Sequence, residues 1–392
     1  MKIAIIGGSI AGCALALFLK DKHDVTVFEK SNNLRSRGAG ITVSPQLLDT
    51  LFTKDILDSD IITYAAQKRT FYYKSPNEHY GIPFWHQDIS MVSMHWETLF
   101  INLRKRIPDE IYQSGAKILN ATIKDGKTPG ITLENGENRH FDLIVFADGS
   151  HSLGRKIISE NSQLSYSGYV AWRGVLNFDS IGEKAHFNNN ISYYCFDSGH
   201  LLVYLIHHKG IKKLNWLFYE KLSEEQLQDL ENNSQFNIST RAKQHLYQLA
   251  KTKLPLMIAQ IILDTPSPFM QKIKDVRVHK LVTDRALLLG DASIILRPHV
   301  GNGASLAIED ALSLSEHLSN YDDPQKAIER WEEHTLPKRL NTYALSERMA
   351  DALVMNPVSW QEMSPSKMDI WWQKILLGEK WFESSKPQPI NN

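Results

Sequence analysis

The chain has 392 residues, 42% of them hydrophobic, which suffices for two or three domains with buried cores. Its 44 basic residues are matched by 44 acidic ones, and no basic block carries interleaved aromatics, so nothing draws it to nucleic acid or to an anionic membrane. The only cysteines, Cys13 and Cys195, lie far apart without C-x-x-C or metal-ligand spacing, which argues against thiol redox chemistry and a metal site and leaves them as small buried residues. The first strand begins at Lys2 with no signal-peptide pattern before it, and no apolar run approaches the ~20 residues of a membrane span. A cytoplasmic protein without stable membrane association is expected.

In chain order, Lys2–Ile6 reads as a buried strand, Gly7-Gly8-Ser9-Ile10-Ala11-Gly12 as a glycine-rich turn, Cys13–Lys20 as a helix and Val25–Phe28 as the next strand, ending at Glu29. This is a βαβ dinucleotide unit. Gly7 permits the tight turn, Gly12 permits close helix–sheet packing, and Glu29 stands where an acidic side chain meets an adenosine ribose. Ser9 replaces the middle glycine of the usual fingerprint, so the backbone stands further from a pyrophosphate while the hydroxyl can donate instead. Arg69–Tyr73 and Ile89–Val92 are candidate strands. Phe141–Ala147 is an apolar strand that runs into Asp148-Gly149-Ser150-His151-Ser152-Leu153-Gly154-Arg155, a D-G-x-x-S-x-x-R pattern.

Tyr166–Leu176, Ile191–Phe196, Leu201–His207 and Leu214–Tyr219 are rich in aromatic and β-branched residues with short turn-prone connections, and read as an antiparallel sheet. Alternation along the first of these puts Trp172 and Arg173 on opposite faces, so only one points into a pocket. An inward Arg173 would hold an ionised oxygen or carboxylate with its planar fork; an outward one is a solvated charge. Tyr193, Tyr204, His207 and His208 lie on these strands, and spacing selects none of them. Ser223–Glu231 and Thr240–Lys251 carry helical spacing, and Val276–Val282 returns the chain towards the first domain.

Arg285–Ala311 is the most informative stretch. Ala286–Leu289 is a short buried-type strand, Gly290 lets the chain turn, and Asp291 sits at the strand mouth, where a carboxylate accepts from sugar-alcohol hydroxyls. Gly301, Asn302 and Gly303 leave backbone N–H groups bare where the helix Ala304–Leu318 begins. Those donors, with a helix dipole contributing ~0.3–1 kcal/mol, suit the electron-rich edge of a flavin. Helices Pro324–His334, Pro337–Ala352 and Lys367–Phe382 follow. The last places Ile370, Trp371, Ile375 and Leu376 near one face, read as packing against the body of the chain rather than a membrane or a partner. Ser384–Asn392 is expected to be disordered.

With the fingerprint, the D-G segment and the G-D segment in this order, the chain resembles the aromatic-ring hydroxylase family of flavoprotein monooxygenases, typified by p-hydroxybenzoate hydroxylase, over roughly residues 1–320. The G-G-S fingerprint, the Tyr169-Val170-Ala171-Trp172-Arg173-Gly174 run and the Arg297-Pro298-His299-Val300-Gly301 run resemble its dihydroxypyridine hydroxylase branch. Ala292-Ser293 departs from the Ala-His that many members carry after the G-D pair. The resemblance implies an α/β (α+β) two-domain chain. A Rossmann-like FAD-binding domain (1–68, 93–165 and 284–320) is interleaved with an antiparallel-sheet substrate domain (69–92 and 166–283), followed by C-terminal helices (321–382) and a tail (383–392).

It also implies an FAD-dependent monooxygenase in which NADH or NADPH, bound transiently, and O2 serve to hydroxylate a small electron-rich aromatic or N-heterocycle through a flavin hydroperoxide; a homodimer is compatible with it. Other readings are the same fold acting on a polycyclic natural product or antibiotic, and a non-catalytic flavin-binding redox or scaffold protein. Carried over residue by residue, Gly7, Gly8, Ser9 and Gly12 approach the pyrophosphate and Glu29, with Lys30 beside it, meets the ribose. Arg37 and Gly38 lie along the phosphate and ribityl portion, Arg104 reaches the ribityl side, and Asp291 bonds the ribityl hydroxyls. For both arginines a surface salt bridge is the alternative, and for Asp148 and Arg155 it is bracing of the D-G loop. Pro298 and His299 should lie beside the flavin ring with Gly301, Asn302 and Gly303. His299 is either a group titrating near neutral pH that takes a substrate proton, or a histidine that only lines the pocket. Arg173 is the second candidate for the chemistry.

Overall fold

The computed structural model, which describes residues 1–32, 40–123, 128–230 and 238–379, builds two principal sheets from segments that alternate along the sequence. The first has the order Val282–Thr283, Ala286–Leu288, Leu143–Phe146, Lys2–Ile6, Asp24–Glu29, Tyr112–Ser114. All pairings are parallel except at the Val282–Thr283 edge. Unbroken apolar runs are what such strands need when both faces are covered, and Ile3, Ile5, Leu143, Ile144 and Leu287 are all fully buried. Helices Ile10–Leu19 and Gly303–Asn320 pack against one another beside this sheet. The register pairs Ile6 with Phe28 and with Phe146, and Phe146 with Leu288. The glycine fingerprint, the D-G segment and the G-D segment therefore emerge together at one edge.

The second sheet has eight strands in the order Phe269–Asp275, Ser165–Asn177, Ile211–Lys221, Gly199–His208, Asn190–Phe196, Tyr64–Ser75, Glu78–His95, Gly40–Val43. One face, with Val170, Trp172, Val203, Trp216 and Phe218, is covered by apolar residues of helices Thr240–Lys253 and Leu256–Leu263. The other carries Tyr169, Tyr193, Tyr204, Leu217 and Tyr219 and packs against the C-terminal segments. The two regions expected to share a sheet do so. Arg69–Tyr73 and Ile89–Val92 are short parts of one long hairpin, Tyr64–Ser75 with Glu78–His95, whose polar outer positions and Pro83 interrupt the apolar pattern. A three-stranded sheet, Ile118–Thr122, Gly130–Leu133 and Asn138–His140, is too short and polar to stand out in sequence.

Pro324–His334 and Pro337–Ala352 are one helix, Pro324–Ala350, followed by a π-helical turn at Asp351–Met355. Pro337 and Glu333, four residues before it, both lie on the exposed side, so the carbonyl that loses its partner faces water. The helix Pro365–Leu377 buries Met368, Trp371, Trp372 and Ile375 against the second sheet, as an inward-packing stripe should. Ile370 and Leu376, placed on that stripe by sequence, are 59% and 40% exposed; Met368 and Trp372 take their places, with Trp372 packed edge-on against Phe71 and tilted against Trp85. No helix among the described residues is long and apolar enough to cross a membrane. The tail Ser384–Asn392 lies outside the described residues.

Candidate functional site

The crevice at the C-terminal edge of the parallel sheet is shaped by glycines. Gly7 has φ +105°, and a Cβ there would lie 2.3 Å from the Ala147 carbonyl oxygen; one on Gly12 would lie 1.9 Å from the Gly7 oxygen. Turn, helix and D-G strand thus touch at backbone distance. The Glu29 carboxylate is buried and accepts Gly8 N–H at 2.8 Å and Ser31 N–H at 2.9 Å, with exposed Lys30 between. Tyr112 Oη donates to the Gly8 carbonyl at 2.9 Å, and the Arg104 guanidinium lies 4.0 Å over the Tyr112 ring. Arg104 also bonds the Ile107 carbonyl at 2.8 Å and pairs with Asp109 at 2.6 Å. These contacts hold it beside Tyr112. Arg37 and Gly38 lie outside the described residues.

Asp148 accepts Leu153 N–H at 2.6 Å on one oxygen and keeps the other buried without a partner. Burial pushes its carboxyl above the usual range. Arg155 bonds the carbonyls of Asp291 at 3.2 Å, Ala292 at 3.0 Å and Ser150, clamping the D-G segment onto the G-D segment. Asp291 itself is exposed at the crevice mouth. Beyond it Gly301 adopts φ +68°, and Thr42 Oγ1 donates to its carbonyl at 2.5 Å, tying this loop to the second sheet. Asn302 makes no side-chain cap on the helix Gly303–Asn320, and a Cβ on Gly303 would meet nothing within 4 Å.

These features fit a flavin dinucleotide. Ser9 and Asn302 leave two helix N-termini uncapped, both at one sheet edge, where backbone donors suit a pyrophosphate and a ring edge. The half-satisfied Asp148 and the exposed Asp291 supply acceptors for hydroxyls.

Beyond the Gly301 loop, the second sheet presents its inner face as a floor. Cross-strand pairing sets Tyr204, Asn215 and Val175 in one row, Leu202, Leu217 and Arg173 in the next, and His200, Tyr219 and Ala171 in a third. Leu202 stands on a strand flanked on both sides, yet it and Val175 remain only half-buried, as do Val300 and Met91. An apolar side chain in mid-sheet keeps such exposure only where space is left above it. Arg173 shares this face, whereas Trp172 points to the opposite face and donates to Glu220 at 2.8 Å. Of the pair, Arg173 is therefore the one that shares a face with these half-buried residues.

Pro298–Val300 forms a single 3-10 turn that delivers His299 into a nest of Tyr169, His200 and Tyr219, with ring centroids 5.5, 5.3 and 4.6 Å away. Burial, with His200 and Arg297 nearby, holds its imidazole well below the ordinary histidine range, which favours the pocket-lining reading of His299 over titration near neutral pH. Tyr169 Oη, fully buried, lies 3.0 Å from His299 Nε2. A buried phenol must place its proton on an acceptor, and burial raises the Tyr169 hydroxyl well above its usual value. Tyr169 therefore donates to Nε2, and the imidazole proton sits on Nδ1.

His200, Tyr204, Asn215 and Tyr169 were not selected by sequence, where alternation sorts residues by face without saying which face is covered. Of the histidines left open there, His207 and His208 stand apart from this floor. His208 bonds Glu97 at 2.5 Å and stacks on His95 at 3.7 Å. These three are the one group among the described residues with metal-ligand proximity, but the direct bond and the neighbouring Lys209 and Lys213 make an ion-paired cluster of them.

Residues 166–275 match a family model described as FAD binding domain-like. The 2,6-dihydroxypyridine 3-monooxygenase of Paenarthrobacter nicotinovorans is 28% identical over 356 residues, covering 86% of this chain and 87% of that protein. The structure of 2,6-dihydroxypyridine-3-hydroxylase from Arthrobacter nicotinovorans superposes with a TM-score of 0.80 at 24% identity, covering 98% of this chain and 95% of that one. Klebsiella pneumoniae HpxO complexed with FAD and uric acid superposes with a TM-score of 0.78 at 18% identity, over 97% and 93% of the two chains.

Proposed function

We propose that the chain, similar to the FAD-dependent aromatic hydroxylases, hydroxylates a small electron-rich aromatic or N-heterocyclic ring held on the floor of the second sheet, with NAD(P)H and O2 as co-substrates. One observation carries the reading: the crevice formed by the three motifs is joined, through the Thr42–Gly301 bond, to a sheet face whose central apolar residues are left half-exposed.

Bound FAD would supply the electron transfer from the nicotinamide and the activation of O2. Gly7, Gly8, Ser9 and Gly12 would line its pyrophosphate, Glu29 its ribose, Asp291 its ribityl hydroxyls, and the N–H groups at Gly301–Gly303 its ring edge. The remaining work is positional. Leu202, Leu217 and Val175 give the substrate ring an apolar bed, which excludes water and fixes its plane. Arg173 supplies a permanent positive charge at that bed's edge. His299, set by Tyr169 with its proton on Nδ1, acts as a hydrogen-bond donor rather than a base, with Pro298 holding the turn that aims it.

The similarity to 2,6-dihydroxypyridine 3-monooxygenase makes hydroxylated pyridines the first substrates to test. The experiment is an absorbance spectrum of the purified protein followed by NAD(P)H consumption in air with hydroxylated pyridines, purines and phenols. Bound flavin, ring-stimulated oxidation and a hydroxylated product are expected. Flavin with no ring-stimulated oxidation across the panel would overturn the proposal.

A further inference from the structure

The floor of the chamber holds hydrogen-bond donors that the protein itself leaves unused. Asn215 is 1% exposed and accepts Gly40 N–H on Oδ1 at 3.0 Å, which fixes the orientation of its amide; the other end, Nδ2, is buried without a partner. Gly40 is pressed close to it, since a Cβ there would lie 2.8 Å from Tyr204 Oη and 2.9 Å from Asn215 Cγ. On the neighbouring strand, Arg173 donates to Gln271 Oε1 at 2.8 Å and keeps Nε buried without a partner. Arg173 opposes Leu217 and Asn215 opposes Val175, so the two are diagonal neighbours on one face, about 7 Å apart. The Arg173 charge acts on both the Tyr204 and the Tyr219 hydroxyls, opposing the upward push of burial, so the guanidinium lies within electrostatic reach of both. Among the described residues no carboxylate pairs with Arg173.

A buried donor without an acceptor is unfavourable, and a charge without a counterion more so. Two such donors, side by side on a bed that is otherwise apolar, are complementary to acceptor oxygens carrying negative charge. Resting on the function proposed above, we propose that Arg173 and Asn215 form an anion-accepting edge of the substrate chamber. The ring that is hydroxylated then carries a negatively charged oxygen, as a ring oxyanion or a carboxylate, directed at Arg173 Nε and Asn215 Nδ2. A ring presenting only N–H groups there would set donors against donors and is rejected.

The test is calorimetric titration of the FAD-loaded protein, without NAD(P)H, using two matched pairs: 2,6-dihydroxypyridine against 2,6-diaminopyridine, and salicylate against salicylamide. At least one acid should bind about tenfold or more tightly than its neutral partner, and the pair that does so tells oxyanion from carboxylate. Asn215→Asp keeps the oxygen that accepts Gly40 N–H and turns the free donor into a repelling oxygen. It should weaken acid binding about tenfold or more while neutral-ring binding stays within about twofold. Arg173→Met should do the same, with partial recovery in Arg173→Lys, and keeps the inference testable should Asn215→Asp fail to fold. Acid binding that equals neutral binding in both pairs, no acid binding at all, or wild-type acid affinity in the folded variants would overturn the inference. Failure of the wild-type protein to take up FAD would instead overturn the function proposed above, since that readout does not involve the anion edge.

Discussion

Tyr169 donates its buried hydroxyl to Nε2 of His299 across 3.0 Å, joining the strand Ser165–Asn177 of the second sheet to the turn that precedes the flavin-side helix. The bond decides what the imidazole can do. With Nε2 taken as an acceptor and the ring kept neutral by burial, His299 has an N–H to offer and no free lone pair.

His299→Ala should therefore slow hydroxylation by about tenfold to a hundredfold, the loss of one aimed donor, while FAD stays bound. Its ionisation lies well below the ordinary histidine value, so its charge does not change between about pH 6 and pH 8. Wild type and variant should show parallel profiles of kcat/KM over that window. A limb near neutral pH that vanishes in the variant would restore the base role.

Asp291→Ala removes the carboxylate at the mouth of the strand Ala286–Leu288. Loss of charged hydrogen bonds to the cofactor should weaken FAD binding by about tenfold to a hundredfold, read from flavin fluorescence on titration. A variant that retains wild-type affinity would remove Asp291 from the cofactor site.

Gly40→Ala drives a methyl group to within 2.8 Å of Tyr204 Oη and 2.9 Å of Asn215 Cγ. The overpacking should destabilise the protein by about 1–3 kcal/mol and loosen the chamber floor. Thermal unfolding measures the first effect and ring binding the second; an unchanged Tm would mean that the Gly40 strand moves aside freely.

Arg339 holds Asp310 through contacts of 2.6, 2.9 and 3.0 Å, and so anchors the flavin-side helix Gly303–Asn320 to the long helix Pro324–Ala350. Arg339→Met strands a buried carboxylate and should cost about 3–5 kcal/mol in urea unfolding. Adding Asp310→Leu should recover much of the loss. A double variant no better than the single would show that packing by the arginine stem, rather than the ion pair, is what matters.

His95 and His200 are buried neutral, with pKa values held down to about 4 and about 3 by desolvation. For each, the unfolded chain takes up a proton first, near the ordinary value of 6.5. The stability that depends on their neutrality is full above that value and is lost as pH falls towards 4, at up to about 1.4 kcal/mol per pH unit for each histidine. A Tm series should be flat at and above neutrality and decline below it. A Tm that holds steady down to about pH 5 would contradict the burial of both rings.

The cofactor half of the protein was legible because its signals are local. Gly12 is dictated by contact with the Gly7 backbone five residues earlier, and the apolar runs at Lys2–Ile6, Phe141–Ala147 and Ala286–Leu289 each specify a buried strand without reference to the rest of the chain. The split of one long helix at Pro337 was misread for the same reason: a local rule was applied where the freed carbonyl faces water. The hairpin Tyr64–His95 was seen only in fragments, since its outer residues answer to solvent rather than to a core.

Sequence by itself determined the order of the motifs, the parallel sheet edge they share and the parity that separates Trp172 from Arg173. Only the tertiary structure decided which side of that parity is covered, because the answer depends on where helices Thr240–Lys253 and Leu256–Leu263 dock, some 70 to 90 residues further on. It also decided that Asn215 spends its oxygen on Gly40, 175 residues away, and that Tyr169 meets His299 across 130. Hydrogen bonds between groups so distant in the chain leave no periodicity behind them; they exist only once both sheets are in register and packed.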